Sequence, residues 1–475
     1  MDNNISQETK IQTKPPIVVV LGHVDHGKTT LLDYIRTTNI ALKEAGGITQ
    51  SIGASVVITK IGKTITFIDT PGHAIFANMR ARGANVADIA ILVVAAEEGI
   101  KPQTKEALTF IREAKIPYIV AATKSDLPTA SVEKVRSDLE GQQVMFEGRG
   151  GDVPLVPVSG KTGKGVDELL ETISLVAEVN NVSGSENSPF EGIVIETSKG
   201  KSGPLASIVV RNGILKVGDE IVSDTTSAKV RGIFDWNSKS VKSVSVGYPG
   251  QILGFSMLPE VGSHIWKRTE KTISLEKSIN KPLAKTGATE GQLSVVFKAG
   301  NTGSLEAILA NLDPKITVIS SGVGEVTEGD VFIAKSSGAH IYSFESKVPS
   351  NVLKLAENEG VHIHSFNIVY EIFEKLEEEI DKGVEVVLGK AQIIADFPYE
   401  GKRVSGCKVI SGTINKNAKL SLVRTEKELG EIKIISMKKG RADIELARQG
   451  EECGIFFAPQ LDFKIGDVIL SVQRT

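Results

Sequence analysis

Cysteine is almost missing from this chain. Cys407 and Cys453 are the only two in 475 residues, which excludes a disulfide framework and fits a reducing, cytoplasmic setting. Long apolar runs are missing too. The longest, such as Ile89 to Ala96, are far too short to cross a bilayer, so no membrane partner is expected. There is no large excess of charge of either sign; the net charge is −3. That argues against a basic nucleic-acid coat, so no DNA partner is expected and any RNA contact has to come from small local patches. Residues 1–14 lack the apolar core of a signal peptide, and Asp2 and Glu8 depart from the acid-poor character of a transit peptide. They read as a short disordered tail. What remains is an ordinary globular composition, 41% hydrophobic and 24% charged, at a length that suggests about three or four domains.

The strongest signal is Gly22-His23-Val24-Asp25-His26-Gly27-Lys28-Thr29, which fits the phosphate-binding pattern G-x-x-x-x-G-K-S/T. The apolar run Ile17 to Leu21 before it reads as a buried strand, and Thr30 to Arg36 after it carries apolar residues at helical spacing. In that setting the loop amides and the helix N-terminus converge on an anion. Lys28 supplies a point charge and Thr29 a hydroxyl for Mg²⁺. Downstream, Gly46-Gly47-Ile48-Thr49-Gln50 is either a plain loop or a switch segment that brings Thr49 to the metal. A strand from Thr64 to Ile68 ends in Asp69-Thr70-Pro71-Gly72-His73. Asp69 is placed as the carboxylate on the metal side, and Gly72 as a free amide for a γ-phosphate. His73 is either an exposed turn histidine or the group that orients the attacking water. A further strand, Ile116 to Ala122, ends in Thr123-Lys124-Ser125-Asp126, where an aspartate can accept from N1 and N2 of guanine but not from adenine. Ser159-Gly160-Lys161 follows another strand and is placed to close over the base. Four such elements in this order predict a doubly wound sheet that binds GTP or GDP at the carboxyl ends of its strands.

From Phe190 onward helical signals give way to short strands between Gly, Pro and Asp turns, the pattern of a small β-barrel. A similar layout returns about 200 residues later and predicts a duplicated module. Gly213 to Gly218 answers Gly412 to Asn417, Gly250 to Gly254 answers Gly450 to Gly454, and Val261 to Ile265 answers Ile465 to Ile469. Between the two barrels, Leu293 to Phe297 reads as strand, Thr302 to Leu312 as helix, Ile316 to Ser320 as strand and Asp330 to Ile333 as a buried segment, an α/β/α layer domain. Gly300-Asn301-Thr302-Gly303 has no Lys-Thr after it and reads as a structural turn. Phe366 to Lys382 carries an apolar stripe opposite a charged face and predicts one long amphipathic helix, a rigid spacer. The fold class is therefore multidomain α/β and β. The expected layout is a P-loop domain over 15–180, a β-barrel over 188–275, an α/β/α domain over 288–365, a connecting helix over 366–388 and a second β-barrel over 389–475.

GHVDHGKT, GGITQ and DTPGH resemble a translational GTPase. GITQ-SIGAS and the run from Asp69 to Thr104 more narrowly resemble bacterial translation initiation factor two. The resemblance covers nearly the whole chain, and the domain order matches that family rather than elongation-type or selenocysteine-type factors, which lack the α/β/α insert and spacer helix. A regulatory GTPase that only binds ribosomes is the remaining alternative. The resemblance implies ribosome-stimulated GTP hydrolysis by a monomer, with the small and then the large ribosomal subunit as partners. It also implies that the last barrel holds the formylmethionyl end of the initiator tRNA, at Cys407, Lys438, Lys439, Glu452, Cys453 and Gly454. On residue chemistry alone the alternative is two buried core cysteines and a solvated lysine pair. The chain departs from the family at Thr123, usually Asn, which predicts a weakened but retained preference for GTP. It departs at Gly160, usually Ala, at Lys439, usually Arg, and at Gly440, usually aromatic. The family's large N-terminal extension does not precede residue 15, and weaker small-subunit anchoring is expected.

Overall fold

The computed structural model describes residues 14–36, 49–200, 202–268, 293–382, 385–399, 402–416, 418–424, 427–440 and 442–474. Gly46, Gly47 and Ile48 of the expected switch segment, and residues 1–13 of the expected tail, lie outside them. Lys14, also expected in the tail, is buried and pairs with Asp88 at 2.9 Å. The described residues fall into two compact units, the smaller carrying the second barrel.

The first domain runs β1 (Ile17–Gly22), α1 (Lys28–Arg36), β2 (Gly53–Ile58), β3 (Thr64–Asp69), α2 (Ala77–Val86), β4 (Ile89–Ala95), α3 (Pro102–Ala114), β5 (Tyr118–Thr123), α4 (Val132–Glu140), β6 (Leu155–Pro157) and α5 (Val166–Val179). The sheet order is β2-β3-β1-β4-β5-β6. All pairs are parallel except β2 with β3. β1 and β4 are buried along their whole length, because helices cover both faces of a parallel sheet. That is why they are continuous Val, Ile and Leu runs rather than alternating ones. The sheet order reverses beside β1, so the carboxyl ends of β1, β3, β4 and β5 open onto one crevice.

The first barrel is built from β7 (Glu191–Gly200), β8 (Gly203–Asn212), β9 (Ile214–Lys216), β10 (Glu220–Ser223), β11 (Ser227–Phe234), β12 (Ser240–Val241), β13 (Ser243–Ser245), β14 (Pro249–Phe255) and β15 (His264–Lys267). Its strands close in the ring β10-β15-β7-β8-β14-β11. The third domain has β16 (Leu293–Ala299), α6 (Thr302–Ala310), β17 (Ile316–Val323), α7 (Glu328–Ser337), β18 (His340–Phe344), α8 (Ser350–Glu359) and β19 (Ile363–Phe366), in sheet order β17-β16-β18-β19. Asp330 to Ile333 is not a buried segment but part of α7. Val331 is buried there, while Phe332 is 53% exposed. Three apolar residues in a row, Val331 to Ile333, cannot distinguish a strand from one turn of helix. Gly300 to Gly303 is the structural turn expected: the Asn301 side chain accepts from Ser304 N at 2.7 Å and caps α6.

The connecting helix, α9 (Val369–Lys382), starts three residues later than Phe366 and ends at Lys382, where the expected amphipathic stripe ends. Phe366 belongs to β19, Ile368 precedes the helix, and β20 already begins at Glu385. Its 14 residues span about 21 Å. The second barrel comprises β20 (Glu385–Tyr399), β21 (Lys402–Asn415), β22 (Lys419–Arg424), β23 (Lys427–Lys439), β24 (Ala442–Asp443), β25 (Leu446–Arg448), β26 (Glu452–Ala458) and β27 (Val468–Arg474). It closes as β22-β27-β20-β21-β26-β23, the first barrel's ring strand for strand.

The duplication is real, but one of its three expected matches is displaced. Gly262 N donates to Val194 O and Gly466 N to Ile393 O, each at 2.8 Å, so that pair corresponds. Gly213 and Gly412 correspond too, both at positive φ. The partner of Gly450, however, is Gly247, three residues before Gly250. Gly247 N donates to Val210 O at 2.8 Å and Gly450 N to Val409 O at 2.9 Å. Their φ angles are 81° and 84°, a turn that glycine adopts without penalty.

Candidate functional site

Gly22 ends β1 at φ 153°, and a Cβ there would meet Val93 O at 2.4 Å. Gly27 turns at φ 81° and its carbonyl accepts the first helical bond of α1, from Leu31 N at 2.9 Å. The loop therefore delivers the amides that open α1 to one point, where the helix dipole favours an anion. Lys28 is buried against this point, its Nζ donating to His23 O at 2.5 Å. Burial pushes its ammonium down to about 8. His26 is fully buried and desolvation pushes it down to about 4, so it is neutral and leaves Lys28 as the loop's cation at pH 7.

The carboxyl end of β3 faces the loop. Thr70 Oγ1 donates to Val20 O at 2.9 Å and ties the two strand ends together. Asp69 is buried beneath them, which raises its carboxyl, while Arg36 at 3.7 Å counteracts this. Its Oδ1 accepts no hydrogen bond from the protein among the described residues. A buried lone pair of this kind is costly without a partner. Thr29 Oγ1 and Thr49 Oγ1 lie 3.0 Å apart and share a hydrogen bond. Hydroxyl and carboxylate oxygens are the ligand type that Mg²⁺ takes.

Gly72 is packed so closely that a Cβ would lie 2.3 Å from Lys28 Nζ and 3.1 Å from Val24 N. The backbone on either side is clamped by Arg80, a fully buried guanidinium that donates to Pro71 O at 3.2 Å and to His73 O, and pairs with Glu106 of α3. His73 caps the following 3₁₀ turn, Ala74–Phe76, its Nδ1 accepting from Ile75 N at 3.3 Å. Desolvation, with Arg80 adding to it, holds the imidazole below its ordinary value and neutral.

The base side is assembled from β5 and β6. Thr123 Oγ1 donates to His26 O at 2.6 Å and so fastens the base loop to the phosphate loop. Ser125 N donates to Val158 O at 3.2 Å. A hydrogen bond from Ser159 keeps Asp126 below the usual carboxylate range. Gly160 rests on the first turn of α1, where a Cβ would lie 2.8 Å from Leu31 N. Here the family's usual Ala would require α1 to shift. Lys28, Thr29, Thr49, Gly72, His73, Thr123, Asp126, Ser159 and Gly160 line one cavity of about 730 Å³ with Val24, Asp25, Thr30, Lys124 and Lys161, whereas Gly22, His23, His26, Asp69, Thr70, Pro71 and Ser125 lie outside its lining; the volume is within the range of small-molecule sites. Ile368 and Tyr370, which no sequence signal pointed to, line it as well.

A second cavity, about 700 Å³, opens in the second barrel and is lined by Cys407, Lys438, Glu452, Cys453 and Gly454 together with Phe397 and Phe456. Cys407 and Cys453 face each other across β21 and β26. Burial pushes their thiols up to about 12 and about 11, so both are neutral. Lys439 does not line this cavity; its ammonium bonds Glu451 at 2.8 Å. Gly440 lines it, and so does Phe397, which is 54% exposed.

A family model for the elongation factor Tu GTP binding domain matches residues 14–178, one for elongation factor G domain 2 matches 189–267, and one for translation-initiation factor 2 matches 266–377. Translation initiation factor IF-2 of Caldanaerobacter subterraneus subsp. tengcongensis is 41% identical over 98% of this chain and 70% of its own length. The IF-2 of Thermoanaerobacter sp. is 40% identical over 100% and 73%, and that of Aquifex aeolicus 40% over 97% and 61%. Among solved structures, GDP-bound aIF5B from Aeropyrum pernix is similar over 97% of this chain and 92% of that one, at 28% identity and a TM-score of 0.47.

Proposed function

The chain belongs to the translation initiation factor IF-2 family, and from that premise we propose how its residues carry out the work of a GTP-hydrolysing initiation factor. GTP lies with its phosphates in the loop Gly22–Thr30 and its base between Thr123–Asp126 and Ser159–Lys161. Asp126 accepts from guanine N1 and N2, and the Thr123 hydroxyl does the loop-bracing that the family assigns to Asn, which supports retained guanine preference. Lys28 offsets phosphate charge. Thr29, Thr49 and Asp69 would hold Mg²⁺, which would offset negative charge on the bound phosphates. The Gly72 amide donates to the γ-phosphate and His73 orients the attacking water once the ribosome positions it. Turnover by the isolated protein is slow, since positioning is most of the catalysis.

The second barrel takes the formylmethionyl end of the initiator tRNA. Neutral thiols and Phe397 suit the methionine side chain and the formamide, and Lys438 suits a terminal phosphate. The factor acts as a cytoplasmic monomer that brings this tRNA to the small ribosomal subunit and promotes joining of the large one. One observation carries the nucleotide reading: phosphate loop, switch residues and base loops, far apart in sequence, line a single cavity. The tRNA assignment is tested by filter binding of formylated against unformylated methionyl-tRNA. Tighter binding of the formylated form is expected; equal binding would remove the assignment.

A further inference from the structure

His73 is held in three ways. Its carbonyl accepts from Arg80 and its Nδ1 from the Ile75 amide, both groups close in sequence. Its ring, however, packs edge-to-face on Tyr370, with centroids 4.4 Å apart and planes at 89°. Tyr370 belongs to the first turn of α9 and faces the nucleotide cavity next to Ile368. The chain just before it is gripped from the metal side of the same site. Gln50, the neighbour of Thr49, is buried; its Nε2 donates to Asn367 O at 2.7 Å and its Oε1 accepts from Val369 N at 3.0 Å. Ser304 Oγ donates to the Gln50 backbone carbonyl at 3.3 Å and Glu345 accepts from Nε2 at 3.2 Å, so Gln50 is bonded both to the third domain and to the start of α9. Residues 367–370 are therefore fastened at once to the Thr49 loop and to the imidazole.

We propose that Tyr370 is a positioning residue for GTP hydrolysis: its ring parks the His73 imidazole against the start of α9, and this contact must break before His73 turns to the attacking water. With Nδ1 engaged by Ile75 and the ring set at right angles against Tyr370, rotation of the imidazole is restrained while both contacts last. Gln50 sets where the tyrosine stands, so the restraint depends on the seat of the Thr49 loop. Tyr370 is 37% exposed, so truncating it leaves no core cavity. An aromatic pair of this geometry is worth a few-fold to about tenfold in an equilibrium.

The inference rests on the proposed role of His73, and the experiment separates the two. Single-turnover GTP hydrolysis is measured on the full chain, with and without ribosomes, for wild type, Tyr370→Ala, Tyr370→Phe, His73→Ala and the Tyr370→Ala/His73→Ala pair. Tyr370→Ala is expected to raise the ribosome-free rate about three- to tenfold with GTP affinity within about twofold. Tyr370→Phe keeps the ring and restores the restraint, and in the His73→Ala background the tyrosine substitution changes nothing. A Tyr370→Ala rate at or below wild type, or the same gain without His73, overturns the proposal while leaving the role of His73 intact. If His73→Ala alone keeps full ribosome-stimulated hydrolysis, the role of His73 fails and the proposal falls with it.

Discussion

With phosphates seated against Lys28 as proposed, nucleotide binding is expected to take up protons. Its ammonium is buried and desolvated to about 8, with Arg80 lowering it further and Asp69 opposing. A polyphosphate seated against it stabilises the charged form and returns it to the ordinary lysine range. The sign follows directly. The bound state holds more protons than the free state, so affinity is full below about pH 7 and falls as pH rises through about 8. Half the free protein lacks the proton at pH 8, which gives an uptake of about half a proton per GTP there and about a tenth at pH 7. Integrated from pH 7 to 8.5, the affinity drops about fourfold, close to 0.8 kcal/mol. Calorimetry in two buffers of different ionisation enthalpy reads the uptake as a difference in apparent heat. Lys28→Arg, which keeps its proton throughout, is expected to bind with no such difference and a flat pH dependence over this range, although its base contacts ionise identically. Equal heats in both buffers at pH 8 for the wild type would refute the reasoning, because a normally solvated lysine takes up nothing.

Other outcomes follow from the same geometry. His73→Ala should leave GTP affinity within about twofold while reducing ribosome-stimulated hydrolysis by about 10²-fold or more, read by stopped-flow phosphate release. Thr123→Val removes the hydroxyl bond to His26 O and should weaken GDP and GTP alike by about five- to tenfold, one neutral hydrogen bond, in a fluorescent-nucleotide competition. Gly160→Ala pushes against the backbone of α1 and should speed nucleotide release several-fold, whereas the same change at the open Gly440 should leave release unaltered. Lys438→Ala should weaken formylmethionyl-tRNA binding more than Lys439→Ala, because only Lys438 lines the cavity and Lys439 is committed to Glu451.

The elements legible in the sequence are those whose cause is local. The phosphate loop announces itself because two turns and a lysine must stand at fixed spacing before a helix. The parallel strands do so because burial on both faces leaves unbroken Val and Ile runs. The barrels are legible as a repeat, but glycine spacing alone places one turn three residues off. Gly250 and Gly254 have the same spacing as Gly450 and Gly454, and only the bonds from Gly247 to Val210 and from Gly450 to Val409 reveal the true correspondence. Tyr370, Ile368 and the docking of Gln50 had no sequence signal. Their meaning lies in contacts across 317 and 319 positions for the two Gln50 bonds to 367 and 369, which no periodicity records. Lys14 was missed for a similar reason. A polar residue beside a polar tail gives no hint of the Asp88 carboxylate that waits for it.

The account depends first on a guanine nucleotide and magnesium meeting at Lys28, Asp69 and Asp126. Isothermal titration of the full chain with GTP, GDP and ATP, each with and without magnesium, tests this most directly. One site per chain for GTP and GDP, strengthened by magnesium, with no measurable heat from ATP, is the result predicted. Absence of guanosine nucleotide binding in the presence of magnesium, or ATP bound as well as GTP, would contradict it.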